Sequence, residues 1–70
     1  MSWSKPVFSK MINEIGFDSE THELVVTFKN GRKAAYAGVS EDLADELSRA
    51  ASVGTMFGQE IKDRYPFRYV

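Results

Sequence analysis

The chain has 70 residues, of which 43% are hydrophobic and 27% charged, with a formal net charge of -1. That is one domain with a single small core, since a chain this short buries only roughly 60 to 65% of its extended surface. With no cysteine and one histidine, His22, it excludes thiolate chemistry and a multi-histidine metal site within one chain. No apolar run approaches the roughly 20 residues that cross a bilayer, and Met1-Ser2-Trp3-Ser4-Lys5-Pro6 lacks the hydrophobic segment of a secretory signal. A cytoplasmic location is therefore expected.

Taken in chain order, residues 1–8 read as an N-terminal arm carrying Trp3 and Phe8, with residues 9–70 as the single domain. A strand is expected near 11–17, because Gly16 disfavours a helix there. Met11, Ile15 and Phe17 share one parity while Ile12 takes the other, which suits a bulge or burial on both faces. Asp18-Ser19-Glu20-Thr21 supplies polar turn chemistry. The next strand, near 23–29, is the clearest: Leu24, Val26 and Phe28 alternate with Val25 and Thr27. Asn30-Gly31 follows as the favoured pair for a type I′ hairpin, and the chain returns over 32–37 until Gly38.

From Ser40 the period changes. Leu43, Leu47 and Ala51 recur every four residues, with Ala44 and Ala50 widening the stripe, so a helix is predicted near 40–50. Ser40 caps it, and Glu41 and Asp42 sit at the positive end of its dipole. A second helix is predicted over 53–64 from Val53, Phe57, Ile61 and Tyr65, started by Ser52 and stopped before Pro66. A short extended segment is expected over residues 67–70. The sum is an α+β domain: a three-stranded antiparallel meander followed by two packed helices.

These residues carry a resemblance. The chain resembles the KTSC domain family, a module of about sixty residues named from the C-terminus of some lysyl-tRNA synthetases and also found as a free-standing small bacterial protein. The resemblance covers residues 7–67. Its marks are Ser9, Ile12, Ile15, Gly16, Phe17 and Asp18; then Leu24-Val25-Val26-Thr27-Phe28-Lys29-Asn30-Gly31; then Ser52, Gly54, Phe57, Ile61 and Tyr65. The family's central Tyr-x-Tyr appears as Ala34-Ala35-Tyr36, its Val-Pro before the first helix as Val39-Ser40, and its polar residue after the helix aromatic as Gly58. The family's biochemical function is not established, and the resemblance carries a suggestion of RNA binding.

Charge is unevenly spread. Glu41, Asp42, Asp45 and Glu46 crowd one helix, and outside them nine basic residues face six acidic ones. The overall balance argues against strong nucleic-acid binding but leaves room for a local patch. The candidate RNA- or anion-binding residues are Lys29, Arg32 and Lys33 at the hairpin end, Tyr36 as a stacking ring, and Ser52, Gly54 and Thr55 at the start of the second helix. Each also has a plain structural role: a solvated turn, a packed ring, a self-capped helix. No catalytic residue, metal ligand or cofactor is indicated. His22, Ser9 and Asp18 are too scattered to read as a triad.

The expected function is a small non-enzymatic interaction module that binds RNA or nucleotide phosphate weakly, with no DNA and no membrane partner. The alternative is a protein-interaction or homodimerisation module using the arm and an exposed strand edge near Tyr69 and Val70.

Overall fold

The computed structural model describes residues 2–70. Met1, the first residue of the expected arm, lies outside them. The elements run β1 (Trp3–Pro6), β2 (Ile12–Asp18), β3 (Glu23–Phe28), β4 (Lys33–Ala37), α1 (Glu41–Ser48), α2 (Val53–Glu60) and β5 (Phe67–Tyr69). The strands form one antiparallel sheet in the order β1-β2-β3-β4-β5. Both helices belong to the core built on the sheet through Ile12, Ile15, Phe17, Leu24, Val26, Ala34 and Tyr36, which meet Ala44 and Leu47 of α1 and Val53 and Phe57 of α2.

The α+β class stands, but the sheet has five strands where three were expected. Part of the expected arm is the edge strand β1, with Trp3 opposite Phe17 and Pro6 opposite Glu14. An edge is where a sheet tolerates proline. Side chains tie β1 to α1 as well: Trp3 Nε1 donates to Glu41 at 3.1 Å, and Lys5 Nζ lies 3.4 Å from Asp45. At the other edge the C-terminal segment pairs with β4, Phe67 opposite Tyr36 and Tyr69 opposite Ala34. On the face away from the helices, the Arg68 guanidinium donates to both carboxylate oxygens of Glu23, at 3.1 and 3.2 Å. It reaches over β4, where the small Ala35 and Ala37 leave room.

The parity conflict in β2 resolves as a bulge. The register shifts between Ile12 and Glu14, so Ile12 turns inward with Ile15 and Phe17 while Met11 stays exposed. The hairpin at Asn30-Gly31 differs from the expected type I′ turn. Gly31 alone has positive φ, at 92°, and Asn30 does not. Gly31 N–H donates to Phe28 C=O, Phe28 N–H donates to Arg32 C=O, and Asn30 Oδ1 accepts from Arg32 N–H. This is a three-residue loop closed by a left-handed glycine, the next most common hairpin solution.

Ser40 and Ser52 cap their helices as expected, accepting from Leu43 N–H and Thr55 N–H. The second helix ends four residues early, at Glu60. Ile61 and Lys62 N–H both converge on Phe57 C=O, and Asp63 then turns left-handed at φ 66°. Aspartate tolerates that region better than most residues. Tyr65 still packs against the core from the following turn.

Candidate aromatic cleft

A cleft of about 510 Å³ opens between α2 and the β3–β5 end of the sheet. Its sheet wall is aromatic: Phe28, Tyr36, Phe67 and Tyr69. The opposite side is α2, which presents Phe57 and two glycines one turn apart, Gly54 and Gly58. Met11 and Ile12 line it too, with Lys62 and Asp63 from the turn after α2 adding charge.

Strand register explains why these rings meet. Phe67 and Tyr69 alternate with Arg68, so both take the same face of the sheet as Tyr36 and Ala34, their partners in register. Phe67 stacks on Tyr36 with centroids 5.3 Å apart, and Tyr69 meets Phe67 edge-on at 5.4 Å. Phe57 sits edge-on to both Tyr36 and Phe28, at 5.5 and 5.8 Å. Because Ala34 projects so little, Tyr69 occupies its row without a neighbouring ring on β4. Thus β5 supplies the second ring beside Tyr36 that the Ala34-Ala35-Tyr36 sequence lacks.

Tyr36 is only 5% exposed. Burial pushes its phenol above the ordinary tyrosine value, and the nearby charges of Tyr69 and Asp63 push it further. The group therefore stays a neutral hydroxyl at physiological pH. At the far side of the sheet, backbone N–H donation from Glu20 holds the Asp18 carboxyl below its usual value, with a further contribution from Thr21. That carboxylate shapes the β2–β3 turn, where His22 adopts φ 57° and its carbonyl accepts from Gly38 and Val39.

The structure divides the predicted site residues among four places. Tyr36 and Gly54 line the cleft. Ser52 and Thr55 line a neighbouring shallow groove with Phe8 and Ser9, and Gly54 is shared between the two. There the Ser52 hydroxyl donates to Thr55 Oγ1 at 2.8 Å and accepts from Thr55 N–H at 3.4 Å, so the cap is satisfied internally. Arg32 and Lys33 flank Tyr69 and Val70 at the β5 edge, with the Arg32 guanidinium 5.3 Å from the Tyr69 ring centroid. Lys29 lies in the hairpin loop, its N–H donating to Met11 C=O. Missing from the sequence-derived set are Tyr69, Phe67, Phe28 and Phe57, the glycine Gly58, the charged Lys62 and Asp63, and Met11 and Ile12. The alternation Phe67-Arg68-Tyr69 was the available signal for a strand, but three residues are too few to fix its neighbour.

Fold and cleft together define a small α+β meander domain with an aromatic ligand-sized cavity at one sheet edge. Residues 8–65 match the family model of the KTSC domain, and the chain belongs to that family. Among solved structures it is similar to a KTSC domain protein from Yersinia pestis, whose crystal structure shares 30% sequence identity and a TM-score of 0.89. That likeness covers 100% of this chain and 99% of the other. No curated protein gives a match. Among the described residues no helix is long and apolar enough to cross a membrane.

Proposed function

We propose that this KTSC domain is a non-enzymatic module that binds single-stranded RNA or nucleotides, in the cytoplasm, through the aromatic cleft. One observation carries this: Phe67 and Tyr69 are 52% and 60% exposed at the cleft, with Arg32 against the Tyr69 ring and Lys62 also lining the cavity. Exposed rings stack on unpaired bases, and flanking cations take the phosphates. The charge layout supports the same face. The acidic residues of α1 engage β1 through Glu41 and Asp45, at the sheet edge opposite β5, while Arg32 lies at the β5 edge. RNA approaching the cleft thus meets cations before it meets the acidic helix.

Fluorescence anisotropy with a labelled single-stranded octaribonucleotide tests this. Binding is expected to be weak and to fall with salt, each neutralised phosphate adding about 0.7 to the log–log slope. Duplex DNA is expected to bind less well, because its bases are not free to stack. No anisotropy change at millimolar protein, at low salt, would contradict the proposal.

A second function has its own observation in Phe8, whose ring is 102% exposed, next to a 63%-exposed Met11. Such a pair suits a protein partner or a second copy. Because β1 is part of the sheet, deleting residues 1–8 would remove an edge strand along with Phe8. Phe8→Ser is the cleaner variant. If self-association uses this ring, sedimentation across a concentration series will show the wild type gaining mass and Phe8→Ser remaining monomeric. A wild type that stays monomeric throughout would rule out the homodimer.

A further inference from the structure

We infer that the cleft is a slot for one flat nitrogen heterocycle, a nucleobase, and that Gly58 sets its width while the Tyr36 hydroxyl recognises its edge. The inference rests on the nucleotide-binding function proposed above and adds what the cleft selects.

Gly58 supplies the first observation. It lies inside α2, where glycine is the poorest helix former after proline. Nothing in the packing demands it: a Cβ built there meets no atom within 4 Å, and its φ is not in the left-handed region. Gly58 lines the cleft, and a side chain added there would enter open space. Keeping glycine therefore works against the helix and leaves bare backbone facing the aromatic wall. Flat rings stack on such a wall, which a branched aliphatic group does less well.

Tyr36 is the second and independent observation. Its side chain is 5% exposed, and its hydroxyl makes no hydrogen bond to any described residue. No buried side-chain oxygen is sealed off without a partner among the described residues, so this one keeps access to solvent, and the groups its phenol senses, Tyr69 and Asp63, line the cleft with it. A buried hydroxyl left unpaired by its ligand is unfavourable. A hydrocarbon would leave it so, whereas a base offers ring nitrogens and carbonyls as acceptors. The Asp63 carboxylate, also lining the cleft, accepts from an exocyclic amino group, and Lys62 beside it suits the phosphate. The volume, about 510 Å³, falls within the range of roughly 300–1,000 Å³ usual for small-molecule sites.

The test uses adenosine 5′-monophosphate, uridine 5′-monophosphate and the single-stranded octaribonucleotide with the full chain, followed by amide chemical shifts and anisotropy. Gly58→Leu fills the slot and is expected to weaken binding of all three at least tenfold, while its melting temperature stays level or rises. Tyr36→Phe keeps the ring and removes the hydroxyl, and a loss of about fivefold is expected. Because Tyr36→Phe does not fill the cavity, it keeps the test decisive even if Gly58→Leu folds poorly. RNA binding by the wild type that neither substitution weakens would overturn the slot and leave RNA binding standing. A wild type that binds none of the three overturns both.

Discussion

Replacing Phe57 by alanine is expected to cost about 3–5 kcal/mol of folding stability, the usual range for deleting a buried phenyl ring. Phe57 is 5% exposed and joins α2 to the sheet through edge-on contacts with Phe28 and Tyr36. Aromatic pairs of this geometry add about 0.5–1.5 kcal/mol beyond their buried area. A chain of this length holds only roughly 4–10 kcal/mol in total, by the usual per-residue stability of small domains. Phe57→Ala therefore leaves the domain marginal or unfolded at room temperature. Urea denaturation followed by circular dichroism measures this, with Phe8→Ala as a control that should shift stability by no more than about 0.5 kcal/mol. An unchanged midpoint for Phe57→Ala would mean that α2 is not packed as described.

Tyr69→Ala is expected to have the largest effect on binding with little effect on folding. Stacking of one base on one aromatic side chain is worth about 1–3 kcal/mol, or about 5- to 150-fold in affinity. Tyr69 is 60% exposed on the last strand, so its ring contributes little to the core. Phe67→Ala should weaken binding similarly but also loosen the fold, because Phe67 stacks on the buried Tyr36. Arg32→Ala should give a smaller loss that shrinks as salt rises, as expected for an exposed phosphate contact. Anisotropy of the octaribonucleotide at two salt concentrations separates these cases. Equal affinity for the wild type and Tyr69→Ala would remove β5 from the binding surface.

What the sequence made legible was local. The alternation in β3, the period change at Ser40 and the two serine caps each depend on neighbours within a few residues, and the structure keeps all of them. What it hid was long-range pairing. Trp3–Pro6 and Phe67–Tyr69 are four and three residues long. At that length, alternation cannot be told from chance, and their strand state comes from ladders to β2 and β4. The cleft was hidden for the same reason. Tyr36 and Gly54 were legible as candidates, but the ring stacked on Tyr36 comes from a strand thirty-one positions further along the chain. Gly58 stood out as a departure from the family pattern, yet only the folded structure reveals that a Cβ there would meet open space. In the same way, the convergence on Phe57 C=O that ends α2 four residues early is a matter of backbone geometry.

The most direct measurement is a map of backbone amide shifts as a short single-stranded RNA is titrated into the ¹⁵N-labelled protein at low salt. Binding through the cleft predicts shifts concentrated at Tyr36, Gly54, Gly58, Lys62, Asp63, Phe67 and Tyr69, with Arg32 and Lys33 joining them at the hairpin. Shifts confined to the groove beside Phe8 and Ala51, or to the sheet face carrying Glu14 and Thr27, would contradict it, as would no shifts at all.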